Sequence, residues 1–286
     1  MLIAQITDIH IGFDPDAGDD NNLVRLKRVI GRLIDGPDIP DVLLLTGDLT
    51  ENGDAQSYAK LAAAMGDCPF PVWPMVGNHD SRSALLAAFP HTPQQDGFVH
   101  YAVEGDGLRL LLLDTLEPGR HGGAFCRARA AWLAAQLAAH PQTPTVLVMH
   151  HPPFQAGIDW LDCGADDPWI GRFAEAVAGH SQVCAILSGH LHRTIATMWN
   201  GMCATVCPST APAVALNLHP VNAKAPDGRD MVRDDPAGFG LHRWNGQRLV
   251  SHFESVADHR VLARYDQTMQ PLVQSIFAER QSDRQD

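Results

Sequence analysis

Five short stretches carry side chains that can do chemistry together: Asp8-x-His10, Gly47-Asp48, Gly77-Asn78-His79-Asp80, His150-His151 and Gly189-His190-x-His192. All of them offer carboxylate oxygens, an amide oxygen or imidazole nitrogens, the lone pairs that divalent metals take. Taken singly they are ordinary. An Asp after a strand is a common cap, Gly, Asn and Asp are turn residues, and a lone strand-end histidine is more often a hydrogen-bonded surface group than a ligand. Their placement sets them apart. Each follows an apolar run (Leu2 to Ile6, Val42 to Thr46, Val72 to Val76, Thr145 to Met149, Val183 to Leu187) that reads as a buried strand. Ligands of open α/β sheets bind at the carboxyl ends of the strands, so five such ends can converge on one point.

The elements between the motifs suit that arrangement. Leu23, Leu26, Ile30, Leu33 and Ile34 recur at helical spacing, and Tyr58, Leu61, Ala62 and Met65 mark a second helix closed by Gly66 and Pro69. The first three strands therefore form a β-α-β-α-β unit with parallel neighbours. Ser81 to Phe89 reads as a short helix. Tyr101 to Val103 and Leu108 to Leu113 read as an antiparallel pair, and Trp132, Leu133 and Leu137 lie on another helix, as does Ile170 to Ala178. Two hairpins follow, across Asn200-Gly201 and across Asn245-Gly246, the second carrying a favoured type I′ turn sequence. Residues 208–236, rich in Pro, Asp and Asn, read as a long loop or cap over one end of the sheet. Gly77 reads as the residue that permits a tight exit from its strand. The expected organisation is one catalytic domain over 1–258 with a C-terminal appendage over 259–286.

The 286 residues carry 33 Asp and Glu against 21 Lys and Arg, a net charge of −12, which disfavours a partner held by phosphate contacts, nucleic acid above all. No run approaches the 18 or so apolar residues of a membrane span, and Met1 to Ile6 has neither basic nor long apolar character, so a cytoplasmic protein is expected. Six scattered cysteines then read as reduced thiols. The Cys203/Cys207 spacing falls in a strand-like run and is assigned no metal.

In this order, the five motifs resemble the calcineurin-like metallophosphoesterase superfamily, and within it the bacterial class III cyclic-nucleotide phosphodiesterases and related glycerophosphodiesterases. The motifs span residues 8 to 192. The resemblance implies an α/β (α+β) fold, a two-sheet β-sandwich flanked by helices in four layers. It implies two divalent transition metals (Mn, Fe, Zn or Co), one held by Asp8, His10 and His192, the other by Asn78, His150 and His190, with Asp48 bridging. His79 matches the family's catalytic histidine, which stabilises the transition state or protonates the leaving oxygen. Asp80 is expected to orient a histidine from behind or to cap the Ser81 helix, and His151 to support the site rather than ligate.

The substrate implied is a small phosphodiester, a cyclic nucleotide or a glycerophosphodiester. Its second ester group must lie over the metals, against the loops 12–22, 153–167 and 208–236. His219 is a candidate contact there, and Trp160 a candidate for stacking on a base. A phosphomonoesterase, a nuclease and a non-catalytic scaffold are the rival readings. A monoesterase would need an additional cation for the dianion; the motif loops contain Arg82, but the Gly-Asn-His loop itself has no Arg. The resemblance leaves a homo-oligomer open, with residues 208–236 and the C-terminal apolar pattern as contact surfaces.

Overall fold

The computed structural model describes residues 1–13 and 20–282. Its strands are β1 (Leu2–Ile6), β2 (Val42–Thr46), β3 (Val72–Met75), β4 (Tyr101–Gly105), β5 (Leu108–Leu113), β6 (Thr145–Met149), β7 (Val183–Ser188), β8 (Ile195–Trp199), β9 (Met202–Val206), β10 (Ala213–Val214), β11 (Val232–Arg233), β12 (Gly238–Trp244) and β13 (Leu249–Ser255). Its helices are α1 (Asn21–Asp35), α2 (Ala55–Met65), α3 (Arg82–Ala88), α4 (Arg127–Ala139), α5 (Pro168–Val177) and α6 (Gln270–Ser282). The chain divides after Val256: Met1–Val256 is one compact unit, and α6 belongs to a second that begins at Ala257. None of the described helices is long and apolar enough to cross a membrane.

Two main sheets make the larger unit, one ordered β13-β12-β1-β2-β3 and the other β4-β5-β6-β7-β9-β8. β1, β2 and β3 run parallel, as do β5, β6, β7 and β9, so their carboxyl ends lie along one edge of each sheet. The second sheet shows why its strands read as unbroken apolar runs. Leu110, Leu112, Val146, Val148, Ala185 and Leu187 share a core with β1, β2, α1 and α2. Leu111, Leu113, Leu147, Met149 and Ile186 face the other way and pack on Trp132, Leu133 and Leu137 of α4 and Phe173 and Val177 of α5. A strand covered on both faces has no polar alternation to show. This is the helix-flanked two-sheet architecture expected from the sequence.

A buried polar seam crosses the core. Gln5 Nε2 donates to Thr46 Oγ1 (2.9 Å) and to the Ser188 carbonyl (3.1 Å), tying β1 and β2 to the end of β7. His242 spans Gln5 Oε1 (3.0 Å) and Ser251 Oγ (2.7 Å).

The hairpin turns differ from expectation. Asn200 and Gly201 both have positive φ (46° and 81°) and are enclosed by the Trp199–Met202 pair, as a type I′ turn requires. At Asn245-Gly246 only the glycine is left-handed. The Asn245 side chain instead accepts the backbone N–H groups of Gln247 and Arg248, which makes a longer connection. Residues 208–236 contain one short pairing, β10 with β11. Arg25 of α1 holds both ends of this segment, donating to the carbonyls of Thr210 (2.7 Å), Ala211 (3.3 Å) and Asp235 (2.6 Å) and to Asp234 Oδ1 (2.8 Å).

Candidate metal centre

The strand ends deliver their side chains through unusual backbone. Asp8, His10, Asp48, His190 and His192 all have positive φ, between 48° and 72°. L-residues with side chains rarely adopt that region, and such strain collects where a side chain must be aimed. Gly77 is required for a different reason than a tight exit. Its φ is ordinary, but a Cβ there would collide with Asp48 Oδ1 and lie 2.8 Å from His150 Nε2. Side-chain clearance, not turn conformation, selects glycine.

Hydrogen bonds fix which nitrogen each imidazole presents. His150 Nδ1–H donates to the Thr46 carbonyl (2.9 Å), His192 Nδ1–H to the Pro212 carbonyl (2.9 Å) and His10 Nδ1–H to Glu51 Oε2 (2.7 Å). Each therefore presents Nε2 to the site. The Nε2 atoms of His10 and His192 face each other at 3.2 Å. Asp48 Oδ2 lies 3.2 Å from His150 Nε2 and 3.7 Å from His10 Nε2, while its Oδ1 accepts the His79 backbone N–H (2.9 Å). Asp8 Oδ1 lies 3.4 Å from His192 Nε2. The buried Asn78 Oδ1 and His150 Nε2 have no hydrogen-bond partner. Lone pairs aimed at lone pairs, together with orphaned buried acceptors, are satisfied only by cations placed between them. The donor set thus fits divalent metal. Ligand atoms of Asp8, His10 and His192 lie within 4.8 Å of one another, and so do those of Asp8, Asp48 and His150.

Charge follows the same geometry. Burial disfavours charge on His150, but the Asp48 carboxylate beside it more than reverses this and raises its pKa to about 9, so that a proton takes the place between them that a metal cation would otherwise hold. Burial and the neighbouring His150 push His190 down to about 4. Burial opposes ionisation of Asp48, and the surrounding histidines still hold its carboxyl well below the usual range.

His151 sits beside His150 and His190 but has no nitrogen to spare: Nδ1 accepts from Thr115 Oγ1 (2.8 Å) and Nε2–H donates to the His121 carbonyl (3.1 Å). Asp80 touches no histidine ring. It accepts the N–H groups of Gly77 (2.8 Å) and Leu49 (3.2 Å) and the Tyr58 hydroxyl (2.7 Å), binding the Asn78 and Asp48 loops together. The cap of α3 is Ser81. Glu51, which the motif pattern did not single out, orients two histidines: its carboxylate holds His10 and its carbonyl accepts His79 Nδ1–H (2.9 Å).

A cavity of about 280 Å³ opens over these groups. His10, Asp48, Asn78, His79, His190 and His192 line its floor; Phe13, Trp160, Leu161, Pro212, Val214 and Val232 contribute apolar wall. The loops 12–22, 153–167 and 208–236 all reach it, though residues 14–19 of the first lie outside the described residues. Trp160 is at the cavity, whereas His219 is exposed and absent from the lining, with its carbonyl taken by Arg229 (2.7 Å). Among the described residues, no Lys or Arg lines the cavity. Arg82 is consumed by Asp114, through Nε and Nη2 at 2.7 Å each, and by the Leu116 carbonyl.

Known proteins resemble this chain over most of its length. The chain is 31% identical over 261 residues to a probable glycerophosphodiester phosphodiesterase of Arcobacter nitrofigilis, covering 88% of this chain and 92% of that one. It is 30% identical over 285 residues to a probable cyclic nucleotide phosphodiesterase of Rhodopseudomonas palustris, covering 91% and 99%. A dimetal phosphatase from Danio rerio shares the fold, with a TM-score of 0.66 at 14% identity over 89% of this chain and 96% of that one. The profile of the calcineurin-like phosphoesterases matches residues 1–194, which contain all five strand-end motifs, and to that family this chain belongs.

Proposed function

We propose that the chain hydrolyses small phosphodiesters at a two-metal centre, with 3′,5′-cyclic nucleotides as the preferred class. The observation that carries this reading is the set of unpartnered lone pairs around Asp48 Oδ2 at the floor of a cavity that no Lys or Arg lines among the described residues. Asp8, His10 and His192 would hold one metal and Asn78, His150 and His190 the other, with Asp48 between them. Bound there, two divalent cations (Mn, Fe, Zn or Co) would neutralise the phosphoryl oxygens and lower the pKa of an attacking water. His79, whose Nδ1–H is committed to the Glu51 carbonyl, would place its Nε2 against the phosphoryl group.

The missing cation argues for a diester over a monoester. A diester is a monoanion, while a monoester dianion calls for additional positive charge beyond that of the metals. The aromatic and apolar walls favour an ester group with a planar base, and Phe13 and Trp160 supply rings for it. A glycerophosphodiester is the second reading. The Arcobacter relative's name supports it, and the polar side chain of Asn22 at the cavity could bind a diol.

The test is a turnover panel of cyclic AMP, cyclic GMP, 2′,3′-cyclic nucleotides and glycerophosphodiesters with manganese-loaded protein. The account expects cyclic nucleotides to be hydrolysed fastest and chelation to abolish the reaction. Faster glycerophosphodiester turnover selects the second reading, and absence of both metal and turnover selects a scaffold.

A further inference from the structure

We propose that His121 is a second catalytic histidine, the group that gives its proton to the departing alcohol; this rests on the phosphodiesterase reading above. His121 follows a sixth strand end, that of β5, which carries no ligand motif. Its loop is fixed from behind. Asp114 accepts Arg82 and the backbone N–H groups of Val99 and Leu116, and Ala124 N–H donates to the Thr115 carbonyl. The His121 carbonyl accepts His151 Nε2–H at 3.1 Å. Gly123 packs so closely beneath His151 that a Cβ there would lie 2.9 Å from the His151 Cβ. The backbone is thus locked to the wall of the metal centre, while the imidazole is exposed at the cavity and neither of its ring nitrogens has a hydrogen-bond partner among the described residues. A ring carried to the cavity by a fixed backbone, with no structural task of its own, is free to act on a substrate.

Its depth in the cavity assigns the task. The ligand atoms of His79 lie within 4.8 Å of those of His10 and Asp48, and its ring centroid is 4.7 Å from that of His10, so His79 stands at the floor. The His121 ring lies 6.1 Å from that of His79 and belongs to none of the metal-type clusters among the described residues. In an in-line displacement the leaving oxygen departs on the side of phosphorus away from the attacking water, hence away from the floor. Among the described residues that line the cavity, once the seven proposed ligands are set aside, Glu51, His79 and His121 are the titratable groups, and Glu51 is bound to His10. Water oxygen forms a bond to phosphorus as the bond to the ester oxygen breaks. That oxygen keeps the electron pair and takes the imidazolium proton of His121, giving the alcohol. Solvent receives the proton lost by water and later reprotonates the neutral imidazole. In a cyclic nucleotide the alcohol stays attached to the product.

The test compares two diesters in H121A and H121Q. The phenolate of bis(p-nitrophenyl) phosphate leaves without a proton, whereas the alkoxide of cyclic AMP needs one. Loss of the acid should cost about 10²–10⁴-fold in kcat on cyclic AMP, leave the aryl diester within about threefold, and remove the alkaline fall of the cyclic AMP pH profile. Metal content should match the wild type, which excludes damage to the centre. Equal losses on both diesters, or none on either, overturn the role of His121. Wild-type protein that hydrolyses neither diester overturns the phosphodiesterase reading and this role with it.

Discussion

At the scale of residues, each imidazole contributed by His10, His150 and His192 arrives with Nδ1 already committed, to Glu51, Thr46 and Pro212 respectively. The chain has therefore selected the tautomer before any ligand binds. Asp48→Ala should remove metal and activity together, because Asp48 Oδ2 lies 3.2 Å from His150 Nε2 and 3.7 Å from His10 Nε2. His79→Ala should keep metal and lose about 10²–10⁴-fold in rate. Metal analysis of both variants beside their turnover checks this; normal metal in the first or normal rate in the second contradicts it. Glu51→Gln should weaken metal binding about 10–100-fold, as loss of a partner behind a ligating histidine does, and manganese titration calorimetry would measure it. Unchanged affinity would remove Glu51 from the account. The strand-end donors were legible in the sequence because each is a polar residue directly after an apolar run. Glu51 and His121 were not. Glu51 reads as one more loop carboxylate three residues beyond Asp48, and His121 sits in a Gly-rich loop with no pattern. Their placement follows from contacts distant in sequence.

At the scale of elements, parallel strands bring donors to one edge, and the segment over 208–236 closes the other side of the cavity. Arg25 joins that segment to α1 at both ends and so steadies the Pro212 carbonyl that holds His192. Arg25→Ala should cost roughly 1–3 kcal/mol, since it leaves three carbonyls without a charged donor. It should also open 208–236 to limited proteolysis. Urea unfolding and protease mapping measure these effects, and a variant as stable and as resistant as the wild type contradicts the clasp. Strands and helices were legible from periodicity here, whereas β10 and β11, two residues each, carry too little pattern to read. The Asn-Gly turns show the same limit. The pair Asn200-Gly201 adopts the type I′ form and Asn245-Gly246 does not, because the Asn245 side chain captures the following backbone.

At the scale of the whole molecule, the two sheets share a core that contains a fully buried histidine. Burial, and secondarily the charge of His252, lower the His242 pKa to about 3. The unfolded chain binds a proton near pH 6.5 that the folded chain refuses until about pH 3. The stability contributed by neutral His242 is therefore present above pH 6.5 and is lost as pH falls toward 3, at about 1.4 kcal/mol per pH unit. Urea midpoints at pH 7.5 and 5.5 should fall less steeply in His242→Gln than in the wild type, and equal slopes contradict the argument. The sandwich itself was legible from the order of strands and motifs, but the seam of Gln5, Thr46, Ser188 and His242 was not, since nothing local marks those residues as neighbours. The central claim is that the lone pairs around Asp48 hold metal for cleaving a diester. Metal analysis of purified protein, followed by turnover of bis(p-nitrophenyl) phosphate against p-nitrophenyl phosphate, tests it most directly. The account predicts up to two divalent metals per chain, faster turnover of the diester, and loss of both metal and turnover in Asp48→Ala. Protein that binds no metal when manganese is supplied, or that prefers the monoester, contradicts it.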